Sequence, residues 1–452
     1  MLAKTKTIFE SPLIKNTLKL SSSSMILMLI PFLITPILSR LYSPEDYGVW
    51  GIFSSVLYIV NSFIFLSYEN TIVKSNDDKE IPDLIVLCLT ISLSITIIVG
   101  LVFTLGKMMG IPFFVNFHSI PLLTSMLFIT ASYNIFNSIA NRTKKYGAMS
   151  VSNVINGTSQ AAIRVFLGKF PFVSYGLIVG NIISQFIATI YFVFPLRSYI
   201  QNYSTSSIKI AKIKLLAKKY KKFPLYEAPA RFIEFAVLNL TIIILSNYFG
   251  KDEIGYFSMV IQFILLPITV FGSAMGSVYY RELSENLCDP EAVSLITRKV
   301  AKITFPISLL PILFLTFGGD KLLVFILGNK WIPAGSMAII MSVFSVPVIL
   351  AQSLLPAFKT LDRQEIRFKL NLLNFILAIG ALIISAVYFD KINLVLFVYS
   401  ILYALVQFII YHKILKITNL RLREVSKYFM GSMLICYVLL LIRIIYSGIL
   451  IY

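Results

Sequence analysis

Apolar residues along this chain come in blocks of about twenty, parted by short polar stretches rich in Lys and Arg. The blocks run over roughly 17–39, 45–69, 83–106, 119–140, 149–168, 174–196, 224–249, 255–280, 301–318, 333–357, 370–389, 392–412 and 428–446. A helix of about 20 residues crosses a hydrocarbon layer roughly 30 Å thick, and most blocks reach that length. Hydrocarbon offers the backbone no hydrogen-bond partner, and the blocks lack the alternation of barrel strands, so continuous helices are the expected form. The pattern predicts an all-α polytopic membrane protein of 12 transmembrane helices. A thirteenth is less regular, because Arg443 interrupts its apolar run.

Composition supports this reading. Of 452 residues, 57% are hydrophobic and only 13% are charged, where a soluble domain would carry about a quarter charged. Mean hydropathy is +0.83. The formal charge of +19 suggests nucleic acid until the loops are counted. With the N-terminus placed in the cytoplasm, inner loops hold thirty Lys and Arg and outer loops hold eight. That asymmetry is the positive-inside rule at work: it fixes the orientation and explains the net charge without any need for nucleic acid, and the expected location is a bacterial inner membrane. The first apolar stretch lacks a small-residue cleavage site and reads as a retained helix, not a signal peptide. Tyr42, Tyr47 and Trp50 fall where an outer aromatic belt would lie. In the outer segment 318–334, LLVFILGNKW is too short to span and reads as an interfacial helix anchored by Trp331.

Catalytic signals are sparse. There are two histidines, His118 and His412, and three scattered cysteines. HExxH, a Gly-rich phosphate loop and a nucleophile elbow are all missing, so neither an enzyme nor a bound cofactor or metal is expected.

The chain repeats itself weakly. Leu38-Ser39-Arg40-Leu41-Tyr42-Ser43-Pro44-Glu45-Asp46-Tyr47-Gly48 aligns without a gap against Leu245-Ser246-Asn247-Tyr248-Phe249-Gly250-Lys251-Asp252-Glu253-Ile254-Gly255. Arg142 and Asn153 are echoed, in the same order and at the same interval, by Arg363 and Asn374. Six helices per half is an even number, so two such halves run parallel around a central cavity. The expected organisation is a first bundle over 1–196, a basic cytoplasmic linker over 197–223, a second bundle over 224–412, and a basic loop with an additional apolar helix over 413–452. Within the linker, KIAKIKLLAKKYKK has the spacing of a helix lying on an anionic inner leaflet, and equally that of a solvated topological anchor.

Ionisable residues inside spans are costly and mark either a pathway or an internal pair. Glu227, Arg231 and Glu234 stand at i, i+4 and i+7 and share one helix face. Arg231 would offer paired donors to a diphosphate. A carboxylate beside it would hold the empty-state charge or take a coupling proton or sodium. An ion pair that only staples helices fits the spacing equally well. Lys19, Glu69, Arg142 and Arg164 sit near helix ends, where snorkelling competes with lining a cavity.

Several segments carry a family resemblance. LSRLYSPEDYGVWGIFSSV resembles the first outer turn and second helix of polysaccharide and O-antigen flippases, relatives of multidrug extruders and the lipid II flippase. SYENTIVKSNDDKEIPDL is similar to that family's inner loop, and NRTKKYGAMSVSNVING with YGLIVGNIISQ to its fifth and sixth helices. FPLYEAPARFIEFAVLNL through YFGKDEIGYFSMVIQFILLPITVFGSAMGSVYYRELSE resembles the start of its second half. The resemblance implies alternation between inward- and outward-open bundles around a cationic cavity. The cavity would receive a polyprenyl-diphosphate-linked oligosaccharide, an O-antigen or capsule precursor, and move it outward, driven by a cation gradient or the membrane potential. It further implies contact with membrane lipids, a polysaccharide polymerase and a chain-length regulator as partners. The substrate-binding candidates are then Arg231, Glu227, Glu234, Lys19, Arg164, Arg142 and Glu69. A cation-coupled drug extruder of the same fold is the alternative. A membrane-embedded polymerase or ligase would need a sizeable outer loop, and the longest here is roughly 16 residues.

Overall fold

The computed structural model describes residues 30, 33–75, 77–117, 119–170, 175–204, 210–287, 289–420 and 430–449. Among these the fold is all-helical. Nine helices are long and apolar enough to cross a membrane, and 431–446 forms a shorter apolar one. Most of the expected first helix over 17–39 lies outside the described residues, with 33–41 helical. The chain divides into two compact units, 1–42 with 49–235, and 43–48 with 236–452.

Besides the helical stretch 33–41 and a short helix at Pro112–Asn116, the helices of the first unit are α1 (Pro44–Phe63), α2 (Glu69–Lys74), α3 (Ile81–Met108), α4 (Ile120–Arg142), α5 (Tyr146–Leu167), α6 (Gly176–Ser204) and α7 (Ile210–Lys219). The first turn of α1 belongs to the second unit, and α8 (Ala228–Leu245) passes from the first unit to the second at Phe235. Packing is densest between α5 and α6, which form the spine of the unit with α4 against α6 and α3 against α4.

Helix α3 turns its polarity inside out. Ile97 is 53% exposed beside a buried Thr96 at 7%. Leu93, Leu101 and Leu105 are exposed in the same way, whereas Ser92 is buried. Thr96 Oγ1 donates to the Ser92 carbonyl at 2.8 Å and is thereby satisfied within its own helix. Small polar residues at the helix interface and large apolar ones outside are what a lipid surround selects. In water the same exposed face would be an aggregation surface.

In the second unit follow α9 (Lys251–Glu285), α10 (Pro290–Phe314), α11 (Asp320–Leu327), α12 (Ile332–Met341), α13 (Ser345–Leu354), α14 (Gln364–Tyr388), α15 (Ile392–Ile417) and α16 (Met430–Tyr446). Its centre is the span 329–360, almost wholly buried, with α9, α10 and α15 packed around α13. A tight 3₁₀ segment, Ser342–Phe344, separates α12 from α13. Tyr437 of α16 donates its hydroxyl to the Val343 carbonyl of that segment at 2.7 Å. Arg443, which interrupts the last apolar run, pairs with Asp320 at 3.0 Å. Asn393 Nδ2 donates to the Ile449 carbonyl at 2.9 Å. The extra helix is thus bound into the second unit through three polar contacts.

The internal repeat has a reciprocal contact. Gly48 and Gly255, aligned in the repeat, are each the fifth residue of their helices, α1 and α9. A Cβ on Gly48 would lie 2.0 Å from the Lys251 carbonyl oxygen, and one on Gly255 would lie 1.8 Å from that of Pro44. Pro44 and Lys251 are themselves aligned residues. Two helix starts therefore cross backbone to backbone, which only glycine permits. Ser43 and Asp46 cap α1 reciprocally: Ser43 N donates to Asp46 Oδ2 at 2.8 Å, and Asp46 N donates to Ser43 Oγ at 3.1 Å.

Two expectations from the sequence are corrected here. Trp331 is no interfacial anchor: it is fully buried, with Tyr47 and Tyr256 edge-on at 5.2 and 5.9 Å. Tyr42 and Tyr47 do not form a belt either, because both are buried in protein. Aromatic residues near a span end serve a protein core as readily as a lipid interface, and the sequence pattern is the same in both cases.

Candidate functional site

Charged side chains gather where α2 begins and α8 begins, both in the first unit. After α1 the chain turns through Leu66 and Ser67, with φ of +51° and +63°. Consecutive non-glycine residues in the left-handed region are strained, and such turns persist where the surroundings hold them. The turn delivers Glu69 and Asn70 as the first residues of α2. On the other side, a wide π-turn over Phe223–Glu227, with Pro224 near its start, leads into α8. Local widening of this kind is frequent at functional positions.

The two starts are cross-linked. Arg231 Nη1 donates to Glu69 Oε1 in a short ion pair. Asn70 Nδ2 donates to Glu227 Oε1 at 2.7 Å. Lys74 Nζ stands 5.3 Å from the centre of the Phe223 ring, and Phe63 meets Phe232 at 6.0 Å. The Glu69 side chain is 12% accessible and that of Arg231 is 37%. Beyond the Glu69 pair, Arg231 has no further hydrogen bond among the described residues. Its fork is held at one corner while its remaining donors stay available. Glu69 Oε2 is buried and lacks a hydrogen-bond partner among the described residues, which is costly for a carboxylate.

The other described candidates have contacts or surroundings of their own. Glu234 is exposed, one turn beyond Arg231. Arg142 closes the segment after α2: its Nη1 donates to the carbonyls of Ile72 and Ser75 at 2.8 and 2.6 Å, and its Nη2 pairs with Asp78 at 2.6 Å. Arg164 is buried, its Nε donating to the Leu177 carbonyl at 3.1 Å and its guanidinium 4.5 Å from the centre of the Trp50 ring. Gly180 makes room for it, since a Cβ there would sit 2.7 Å from Arg164 Cγ. Tyr42 donates its hydroxyl to the Arg164 carbonyl at 2.7 Å. Lys19 lies outside the described residues.

The basic linker contributes α7, which docks on the loop that follows α2. Tyr220 donates its hydroxyl to Glu80 Oε2 at 3.0 Å, and Tyr68 donates its hydroxyl to the Ala217 carbonyl at 2.9 Å. Lys219 pairs with Glu80 at 2.5 Å. Its hydrogen bond to that carboxylate holds the Lys219 ammonium above its ordinary range. Lys212, Lys214 and Lys218 are exposed. Sequence reasoning singled out the basic run but not Glu80, its acidic partner, which sits in a loop of mixed charge without periodicity. Among the described residues no cluster of three or more His, Cys, Asp or Glu could hold a metal ion.

Known proteins place this geometry. The backbone is similar to a multidrug resistance MATE family transporter of the MOP superfamily in its inward-facing conformation, with a TM-score of 0.66 at 14% identity over 89% of this chain and 98% of that one. It is similar to the lipid II flippase MurJ in an inward closed conformation, with a TM-score of 0.66 at 15% identity over 96% and 99% of the two chains. A MOP superfamily transporter from Pyrococcus furiosus is similar at a TM-score of 0.58, 16% identity, and coverage of 90% and 96%. These likenesses establish the fold, a multi-pass membrane architecture. No curated protein matches the chain in sequence. The family model described as polysaccharide biosynthesis protein matches residues 37–336, about two thirds of the chain, and the chain belongs to that family.

Proposed function

We propose that this protein flips a polyprenyl-diphosphate-linked oligosaccharide, an O-antigen or capsule repeat unit, from the inner to the outer leaflet of a bacterial inner membrane by alternating access, with its N-terminus in the cytoplasm. The observation that carries the reading is Arg231, a guanidinium in a membrane-spanning segment with one corner held by Glu69 and its other donors open. A charge at that depth needs a partner, and a diphosphate takes an open fork in paired hydrogen bonds. Membership of a polysaccharide biosynthesis family supports a glycan cargo, and the likeness to a lipid II flippase supports a lipid-linked one. Glu69 holds the arginine while the site is empty, and Asn70, beside Glu69, holds Glu227. The buried Glu69 Oε2 is the place where a coupling proton or sodium would be taken up as the diphosphate arrives. A polysaccharide polymerase and a chain-length regulator would receive the product.

The test is deletion of the gene followed by extraction of lipid-linked sugars. Complete, unpolymerised repeat units should accumulate on the inner face, and wild-type surface polysaccharide in the deletion strain would refute the reading. A cation-coupled drug extruder is the second reading, favoured by the MATE likeness and by the carboxylates Glu69, Glu227 and Glu234. It requires export of cationic dyes by the protein in vesicles, which the flippase reading does not.

A further inference from the structure

Side-chain amides in the first unit fall into two sets. On α5 and α6 they pair across the two helices: Asn156 Nδ2 donates to Gln185 Oε1 at 2.9 Å, and Gln160 Nε2 donates to Asn181 Oδ1 at 2.5 Å, while the buried Asn156 Oδ1 has no hydrogen-bond partner among the described residues. On α1 and α4 the pairing is sparser. Asn134 Nδ2 donates to Asn61 Oδ1 at 3.3 Å, a long bond that leaves the second oxygen and the second amino group of the pair open. Asn137 and Asn141 make no side-chain hydrogen bond among the described residues. Asn134, Asn137 and Asn141 fall at i, i+3 and i+7, inside an arc of roughly 60° on α4. Asn61, Asn134 and Asn137 are half-buried and Asn141 is exposed. Tyr58, three residues before Asn61 on the same flank of α1, is 46% exposed.

Open amides in a spanning segment are unfavourable against acyl chains. Such a face calls for a polar occupant, and its position says which. Phe63, two residues after Asn61, packs on Phe232, the neighbour of Arg231. Arg142, next to Asn141, holds the Ile72 carbonyl of the helix that carries Glu69. The face therefore starts beside the charged cluster and climbs α4 for about 12 Å, eight residues at 1.5 Å each. Amides both donate and accept, as sugar hydroxyls do. An exposed phenol ring offers a flat apolar platform with a polar tip, matching the two characters of a pyranose.

We infer that Tyr58, Asn61, Asn134, Asn137 and Asn141 form the saccharide-recognition surface of this protein, reading the glycan while Arg231 holds the diphosphate. This rests on the flippase reading. The open amides then set which repeat unit is accepted, and Arg231 is indifferent to it.

Two probes separate the parts: a polyprenyl diphosphate without sugar, and the lipid-linked saccharide fraction extracted from cells of the source organism lacking this gene. Binding of each to the purified full chain in nanodiscs is measured for the wild type, Asn61→Leu, Asn137→Leu, Tyr58→Leu and Arg231→Lys. The expected result is a loss of about tenfold per amide variant for the glycan-bearing probe, with affinity for the bare diphosphate unchanged. Retained binding of the bare probe also reports that the variant is folded. Arg231→Lys should weaken both probes alike. Amide and tyrosine variants that bind the glycan-bearing probe as the wild type does, or that lose both probes together, overturn the inference while the flippase reading stands. A wild-type protein that binds neither probe overturns both.

Discussion

The seam between α5 and α6 and the region formed by α1, α2, α4 and the start of α8 hold the same kinds of residue in different conditions. Along the seam Asn156, Gln160 and Arg164 recur at about one-turn intervals on α5, and each meets a partner on α6: Gln185, Asn181 and the Leu177 carbonyl. In the other region, Asn134, Asn137, Asn141 and Arg231 keep donors or acceptors open among the described residues. Both sets are polar residues within apolar helices, and composition does not separate them. What separates them is how many of their bonds are built in, although the buried Asn156 Oδ1 of the seam also lacks a partner among the described residues. A polar group whose partners are built in contributes to holding helices together, worth about 0.6 kcal/mol per contact within membranes. One left open is unfavourable unless something else visits.

The sharpest way to break this contrast is at Arg231. Arg231→Ala should lower flipping about a hundredfold, since removing charge-assisted bonds to a diphosphate is worth about 3 kcal/mol. The protein should remain in the membrane at its usual level. Arg231→Lys should keep part of the activity, because a lysine supplies the charge without the fork. Surface polysaccharide and inner-leaflet repeat units report both. Normal polysaccharide in the alanine variant would move Arg231 to the closed set and leave it a staple.

The sequence reveals the architecture far better than this distinction. Apolar blocks, the charge asymmetry of the loops and the repeat at Gly48 and Gly255 are legible because each rests on periodicity or on a backbone that tolerates no side chain. The pairing of Arg231 with Glu69 is not legible, since their contact joins helix starts 162 residues apart. Helical spacing does place Glu227, Arg231 and Glu234 on one face, yet it does not say that Glu227 turns to Asn70 or that Glu234 stands exposed. Arg164 misleads for a related reason. Read alone it is a cation near a span end, and only the packing of α6 against α5 brings the Leu177 carbonyl to it. The open amides carry a signal in the i, i+3, i+7 spacing of Asn134, Asn137 and Asn141, but the closed amides of α5 have similar spacing.

Arg164 is the next place to press. If it belongs to the closed set, Arg164→Met should cost about 2 kcal/mol of stability, the worth of a charge-assisted bond together with its ring contact. Thermal unfolding in detergent would show this as a lower midpoint and a smaller yield. Transport per folded molecule should be unchanged. A variant as stable as the wild type but unable to flip would place Arg164 on the substrate path and erase the contrast at its strongest point.

The smallest effect is the most diagnostic of closure. Gln160 and Asn181 face each other across the seam at 2.5 Å. Replacing either by leucine strands the partner's amide, so each single variant should lose about 1 kcal/mol. Replacing both removes the pair and its need for satisfaction together, and the double variant should lose about 1.4 kcal/mol, less than the sum of the two single losses. The coupling energy from this cycle should come out near 0.6 kcal/mol, small in absolute terms but of definite sign. Asn134 and Asn137 offer the matched control on the open face. They lie on one helix without a bond between them, so leucine at both should give effects on stability that simply add, with each loss appearing in binding of the glycan-bearing probe. If instead the seam pair is additive and the face pair is coupled, the two regions have exchanged roles. The glycan would then be read between α5 and α6.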